Sequence, residues 1–445
     1  MILFSPIGAT DPIRDFFDGP MLHIVRHYRE RGLWKVVLFC TKEMSQTARE
    51  FDPYKRVIKA VAPEMKIEEI FTDIEQPQLF DAYIEEFPKI IFQLHEQFPK
   101  EKILLNVSSG TPQMQSSLAI IAVEYPYTLA VQVNTPQKKS NKKVPHTSTE
   151  EDFEIQFKDM EDAQPDAENR CREPRLRTIR KYSDKRQILS LIESYEYAAA
   201  FEIAAKNDDI SAIVKKLLEH GAYRMKLQPK DACEIIATYN DAELCPFDGT
   251  QRTLMEYYLT IDAEQKRGAL FDVLIKAIPF LFELLLEVVI RDDKLRVEQS
   301  CLGREKNFFL QRNLLAANNP KLLAFLDKKF STFRDNTPLS SMNLTTIVNF
   351  AADSTEDADK RELYRKLSDI IVQLTRQKLY LLRNDVAHTI TDVDEKKFKQ
   401  MVGLPSAKLV EKFFELMLLV YGEETRKQRG FYDRLNRWVK AALEK

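Results

Sequence analysis

The sequence predicts a multidomain fold, an N-terminal α/β Rossmann-like domain followed by all-α domains. Three observations carry this. In the first 135 residues, short apolar runs alternate with longer amphipathic stretches. Beyond Lys185 strand-like runs nearly vanish and helical periodicity takes over. Between the two lies a charged stretch poor in large apolar residues, "TPQKKSNKKVPHTSTEED". Apolar runs separated by helices are the pattern of a parallel sheet covered on both faces.

In chain order, the candidate strands are "ILFSPI", "KVVLFC", "MKIEEIF", "KILLNVS" and "LAVQV". Helices are expected near Gly19–Arg31, Glu43–Ala62, Gln78–Phe98 and Gln113–Glu124. The charged stretch is expected to be an exposed insertion, and "DFEIQF" inside it alternates like a short edge strand. A break around Pro246–Gly249 divides a smaller helical segment from a final one. The window Ala269–Ile290 is the most apolar, yet it carries Asp272, Lys276, Glu283 and Glu287. Four charges near its middle argue for a buried amphipathic helix and against a membrane span.

Composition narrows the function classes. At 445 residues the chain can bury two or three cores. A net charge of −2 excludes holding duplex nucleic acid by a global basic field, but leaves room for a local single-strand groove. Five cysteines, with no C-x-x-C, fit reduced thiols. The opening "MILFSPIGATDP" has no basic leader region, so a cytoplasmic protein is expected.

Two loops follow strands directly. The first, "SPIGATDP", offers Gly8, Thr10 and Asp11, and the second, "NVSSGTPQM", offers Ser108, Ser109, Gly110, Thr111 and Gln113. At the C-terminal ends of adjacent parallel strands such loops face the ligand crevice. Backbone N–H groups, hydroxyls and a helix N-terminus suit a phosphate-bearing ligand there, although Ser and Thr also simply cap helices. No two of the 11 glycines lie two residues apart, which removes G-x-G-x-x-G and the Walker A loop. His23 and His27 have the i, i+4 spacing of a metal pair, but no third ligand is evident and no metal is assigned.

Near the C-terminus, "LLRNDVAHTI" places Arg383 and His388 at the end of a helix with apolar Leu367, Ile370, Ile371, Leu374 and Leu381. Histidine titrates in the range needed to move a proton at a ribose 2′-hydroxyl or a leaving 5′-oxygen. A guanidinium suits the crowded phosphorane. Five positions on one helix do not stack the pair, so a full active site would need the same residues of a second chain. By itself the motif equally fits a solvated helix end.

Taken in order, "SPIGATDP", "SSGTPQM" and "RNDVAH" resemble the Csm-type CARF–HEPN ribonucleases of type III (III-A) CRISPR systems, over essentially the whole chain. The resemblance implies a CARF sensor over residues 1–180 with its charged insertion at about 135–152. A helical connecting domain over 181–262 and a HEPN ribonuclease domain over 263–445 would follow. It implies Arg383 and His388 as the catalytic pair with Asn384 beside them, cutting single-stranded RNA in a homodimer without metal or other cofactor. It implies cyclic oligoadenylate as allosteric activator, with loop similarity favouring the six-adenylate ring. Gly8, Thr10, Asp11, Ser108, Ser109, Gly110, Thr111 and Gln113 would bind it. The messenger would link the protein to the type III interference complex without stable binding, and no membrane is involved. Some members of the family also slowly degrade the activator in the CARF pocket, where Thr10 and Thr111 are the residues to test. The rival readings are a non-catalytic nucleotide sensor or RNA-binding protein with a HEPN-like dimerisation domain, and a metal-dependent nuclease, for which no carboxylate cluster stands out.

Overall fold

The computed structural model describes residues 1–136, 149–239, 244, 249–303, 308–330, 333–376 and 392–444. They form two compact units, Met1–Ser183 and Asp184–Lys445.

The first unit is built on a six-stranded sheet ordered β5-β4-β1-β6-β7-β8. Its strands are β1 (Ile2–Pro6), β4 (Lys35–Cys40), β5 (Lys66–Phe71), β6 (Ile103–Asn106), β7 (Thr128–Val133) and β8 (Cys171–Arg172), numbered to leave room for a hairpin, β2 (Ile13–Arg14) and β3 (Phe17–Asp18). The first five run parallel and β8 closes the edge antiparallel to β7. The chain builds outward from β1 to β4 and β5, then returns to the other side of β1 as β6. The topological switch point therefore falls between β1 and β6.

Alternation along β1 sends Leu3 to one face and Ile2 and Phe4 to the other. Helices α1 (Pro20–Tyr28), α2 (Lys42–Phe51) and α3 (Pro53–Val61) supply the first face, where Leu22, Val25 and Ile58 pack. Helices α4 (Glu86–Gln97) and α5 (Pro112–Glu124) supply the second, where Phe87, Ile91 and Leu118 meet Phe4 and Leu105.

Three expectations are corrected. The single helix expected over Glu43–Ala62 is two, because Pro53 cannot continue α2 and Asp52 before it turns into the left-handed region at φ 49°. The segment "DFEIQF" is not an edge strand but part of helix α6 (Glu150–Lys158). Thr149 caps it by accepting the Asp152 N–H at 3.1 Å, three acidic residues fill its first turn, and Phe153 and Phe157 stack one turn apart with centroids 5.6 Å apart. The thiols are not all reduced: Cys40, Cys171 and Cys301 are free, but Cys233 is disulfide-bonded. A pair joined by tertiary structure escapes a search for C-x-x-C.

The second unit is helical around one core, apart from a small antiparallel sheet of β9 (Cys301–Leu302), β10 (Phe309–Leu310) and β11 (Thr337–Pro338). The apolar window forms the helix Leu270–Arg291, with Leu274, Leu281 and Leu285 buried, while Lys276 reaches Glu264 at 3.0 Å. No helix among the described residues is long and apolar enough to cross a membrane. The helix Ala358–Arg376 buries Leu367, Ile370 and Ile371 and anchors through Tyr364, whose hydroxyl donates to Asp292 at 2.8 Å. Arg383, Asn384 and His388 follow it and lie outside the described residues, as does Leu381. The break expected at Pro246–Gly249 is described only from Gly249, where a helix opens.

Candidate functional site

The loops after β1 and β6 meet at the switch point. Their contact is glycine on glycine: a Cβ on Gly8 would lie 2.5 Å from the Gly110 nitrogen and 2.9 Å from its Cα. Gly110 also has φ 79°, a conformation that favours glycine, and Met114 and Pro6 crowd its missing side chain.

A buried polar chain ties the two loops together. Asn106, ending β6, donates through Nδ2 to Ser5 Oγ at 2.9 Å and Ser109 Oγ at 2.7 Å. Its carbonyl oxygen accepts from the backbone N–H groups of Ser108 and Ser109 at 3.0 and 3.3 Å. Ser109 in turn hydrogen-bonds Asp11. Asp11 also accepts from Gly8 N–H at 3.2 Å and from Met21 N–H, in the first turn of α1, at 3.0 Å. Burial pushes the Asp11 carboxyl up to about 6, although its hydrogen bonds from Ser109, Met21 and Gly8 favour the anion.

The candidate ligand residues thus fall into two groups. Asp11 and Ser109 are buried and fully engaged with protein; they shape the loops and present nothing to a ligand. Thr10 and Ser108 line a cavity of about 170 Å³ together with the hairpin β2–β3, the end of β7 and Arg170. Thr111 caps α5 by accepting the Met114 N–H at 3.4 Å and donates its hydroxyl to the Pro77 carbonyl at 2.8 Å. Gln113 is half-buried in the first turn of α5.

The structure adds residues that the motifs did not mark. Gln115, one helical turn beyond Thr111, donates to the carbonyls of Ser108 and Gly110, both at 3.2 Å, bracing the second loop from behind. The hairpin turns through Asp15 and Phe16 at φ 52° and 67°, and Glu161 N–H holds the Phe16 carbonyl at 2.8 Å.

His23 belongs to a different arrangement from the pair expected with His27. It is fully buried, and its Nε2 accepts the Arg170 backbone N–H at 2.9 Å. Its Nδ1 faces Asp18 at 3.3 Å and Asp162 at 3.7 Å. These three could in principle hold a cation. Each carboxylate is already taken: Asp18 by Arg26 at 2.7 and 2.9 Å, Asp162 by Arg170 at 2.5 Å. A divalent ion would sit against two guanidiniums, so the residues do not fit a metal, and the cluster is a charge-balanced ion-pair network. His27 packs on His23 with centroids 4.4 Å apart, and burial with the neighbouring His23 pushes it down to about 4, keeping it neutral.

The loops, helix N-termini and buried polar chain make a rigid, neutral-to-cationic rim at the sheet's C-terminal end, suited to phosphates flanked by bases. Comparison with known proteins agrees with that placement. The family models of the Csm6 CARF domain, the Csm6 6H domain and the Csm6 HEPN domain match residues 66–171, 174–225 and 238–440. The CRISPR system endoribonuclease Csm6 of Mycobacterium tuberculosis is 36% identical over 247 residues, 54% of this chain and 59% of that protein. The protein of the same name from Streptococcus thermophilus is 30% identical over 66% of this chain and 67% of its own length. That from Enterococcus italicus is 27% identical over 99% of this chain and 100% of its own. A solved structure, Enterococcus italicus Csm6 bound to cyclic hexa-2′-fluoro-hexa-dAMP, shares the fold with a TM-score of 0.64 at 23% identity, covering 99% of each chain. The chain belongs to the Csm6 family of CRISPR-associated CARF–HEPN proteins.

Proposed function

We propose that this protein is a metal-independent, single-stranded RNA endoribonuclease of a type III CRISPR system, switched on by a cyclic oligoadenylate of six units. The observation that carries this reading is the pairing of two loops, Gly8–Asp11 and Ser108–Thr111, at the switch point of the sheet, in a family whose relatives are named as endoribonucleases. The ring seen on the Enterococcus italicus protein supports a hexameric activator.

In this reading Thr10, Ser108, Gly110, Thr111 and Gln113 face the ring and Gly8, Asp11 and Ser109 shape the loops. Residues 1–180 form the sensor, 181–262 the connecting domain and 263–445 the nuclease. Arg383 and His388, with Asn384 beside them, perform the cleavage: the histidine moves the proton and the arginine stabilises the phosphorane. A homodimer brings two such pairs to one cleft. Exposed Leu79, Phe80, Ile84, Phe92 and Ile120, on the turn and helices of the second sheet face, suit burial against a second copy of the sensor. Occupancy of the ring and of RNA then reinforce one another by linkage. Slow in-line cleavage of the ring at Thr10 and Thr111, promoted by orientation, would limit the response.

One assay tests the core of this. Unstructured RNA is incubated with the protein in excess EDTA, with and without cyclic hexaadenylate. Cleavage that depends on the ring and survives the chelator is expected. Loss of cleavage with EDTA favours a metal nuclease, and no cleavage under any condition favours a sensor.

A further inference from the structure

The cavity of about 170 Å³ beside the ligand loops is smaller than the pockets of roughly 300 Å³ and more that take drug-sized molecules. It has room for one ring system, not for a macrocycle. Its walls come from both loops (Thr10, Ser108), from the hairpin (Arg14, Asp15, Phe17, Asp18), from the end of β7 (Val133, Asn134) and from Arg170. A group entering it stays continuous with whatever lies on the loops.

The charges of these walls are balanced. Two arginines face two aspartates, and the most buried of them are paired off, Arg170 with Asp162 and Asp18 with Arg26. A phosphate would find no net counter-charge here, so the cavity suits a neutral planar group with polar edges. Phe17 supplies an aromatic wall, held with the Arg170 guanidinium 5.9 Å from its centroid. Arg170 is itself buried and keeps Nε without a hydrogen-bond partner.

At the rim stands Asn134. Its backbone is clamped on both sides by Arg170: the carbonyl accepts from Nη1 at 2.9 Å and the N–H donates to the Arg170 carbonyl at 3.0 Å. Its side-chain amide is exposed and makes no hydrogen bond among the described residues. A fixed asparagine amide offers the one donor and one acceptor that match N7 and the N6 amino group of adenine.

We propose that this cavity is a base subsite for one adenine of the activator ring and that Asn134 is the residue that reads the base. The proposal rests on cyclic oligoadenylate being the activator, and its test separates the two. The full chain, wild type and Asn134→Ala, is titrated with cyclic hexaadenylate and with cyclic hexainosinate, whose O6 replaces the amino donor. The wild type is expected to prefer adenylate by about tenfold or more, and the variant to lose most of that preference while melting at the same temperature. Asn134→Ala retaining the full preference overturns the assignment of Asn134. A wild type that binds both rings equally overturns base reading in this cavity. A wild type that binds neither ring overturns the activator reading itself, and the subsite with it.

Discussion

Gly8 and Gly110 touch backbone to backbone, and a side chain on Gly8 would stand 2.5 Å from the Gly110 nitrogen. The two loops therefore occupy positions that only glycine at both points allows. Gly8→Ala must push against backbone, which does not yield as a flexible side chain would. Destabilisation of about 1–3 kcal/mol is expected, with activator binding weakened at least as strongly because the loops part. Denaturant midpoints and ring titration on the same sample check this; a variant of unchanged stability and affinity would show that the loops can separate freely.

Asp11 makes the site pH-sensitive in a defined direction. Its carboxyl titrates at about 6 in the folded chain, against 3.8 for the ordinary group. Between those values the folded protein holds a proton that the unfolded chain has lost. Its contribution to stability is thus full below about 3.8 and is lost as pH rises through 6. At about 1.4 kcal/mol per unit, the loss is at most about 3 kcal/mol. Asp11→Asn stays neutral throughout, so the slope of stability against pH between 4 and 7 should be flatter than in the wild type. Equal slopes would place the titration elsewhere.

Much of this arrangement was legible in the sequence, and the remainder was hidden for physical reasons. Apolar runs marked the five parallel strands because strands buried on both faces leave no alternation to misread. The two loops were visible because Gly, Ser and Thr directly after a strand have few other uses. The hairpin β2–β3 was not, since its turn uses Asp15 and Phe16 at positive φ, where Asn-Gly or Asp-Gly would have announced it. The partners of His23 were equally silent: Asp162 and Arg170 reach it only through the fold. "DFEIQF" misled because Phe153 and Phe157 satisfy both a two-residue alternation and a helical turn, and the cap at Thr149 decides between them.

Thr111 serves two masters with one hydroxyl, capping α5 and holding the Pro77 carbonyl. Thr111→Ala should cost about 1 kcal/mol from the lost cap and loosen the segment before Tyr83, whose hydroxyl donates to the same carbonyl at 2.8 Å. The expected functional signature is a higher ring concentration for half-activation with the same cleavage rate at saturation. Thr111→Ser keeps the hydroxyl and should restore both. A fall in the saturated rate, with half-activation unmoved, would place Thr111 outside the activator site.

Arg383 and His388 bear the opposite signature. Neither touches the activator in the proposed function, so Arg383→Ala and His388→Ala should each lower saturated cleavage by about a hundredfold or more while ring affinity stays at the wild-type value. A composite site makes a further demand. If each cleft draws on both chains of a dimer, subunits that carry Arg383→Ala should poison wild-type partners. Coexpression with the variant in excess should then depress activity per wild-type chain, in proportion to the mixed dimers formed. Activity that tracks wild-type chains alone would mean that one Arg383/His388 pair suffices, and that the spacing of five positions on its own assembles the catalytic site.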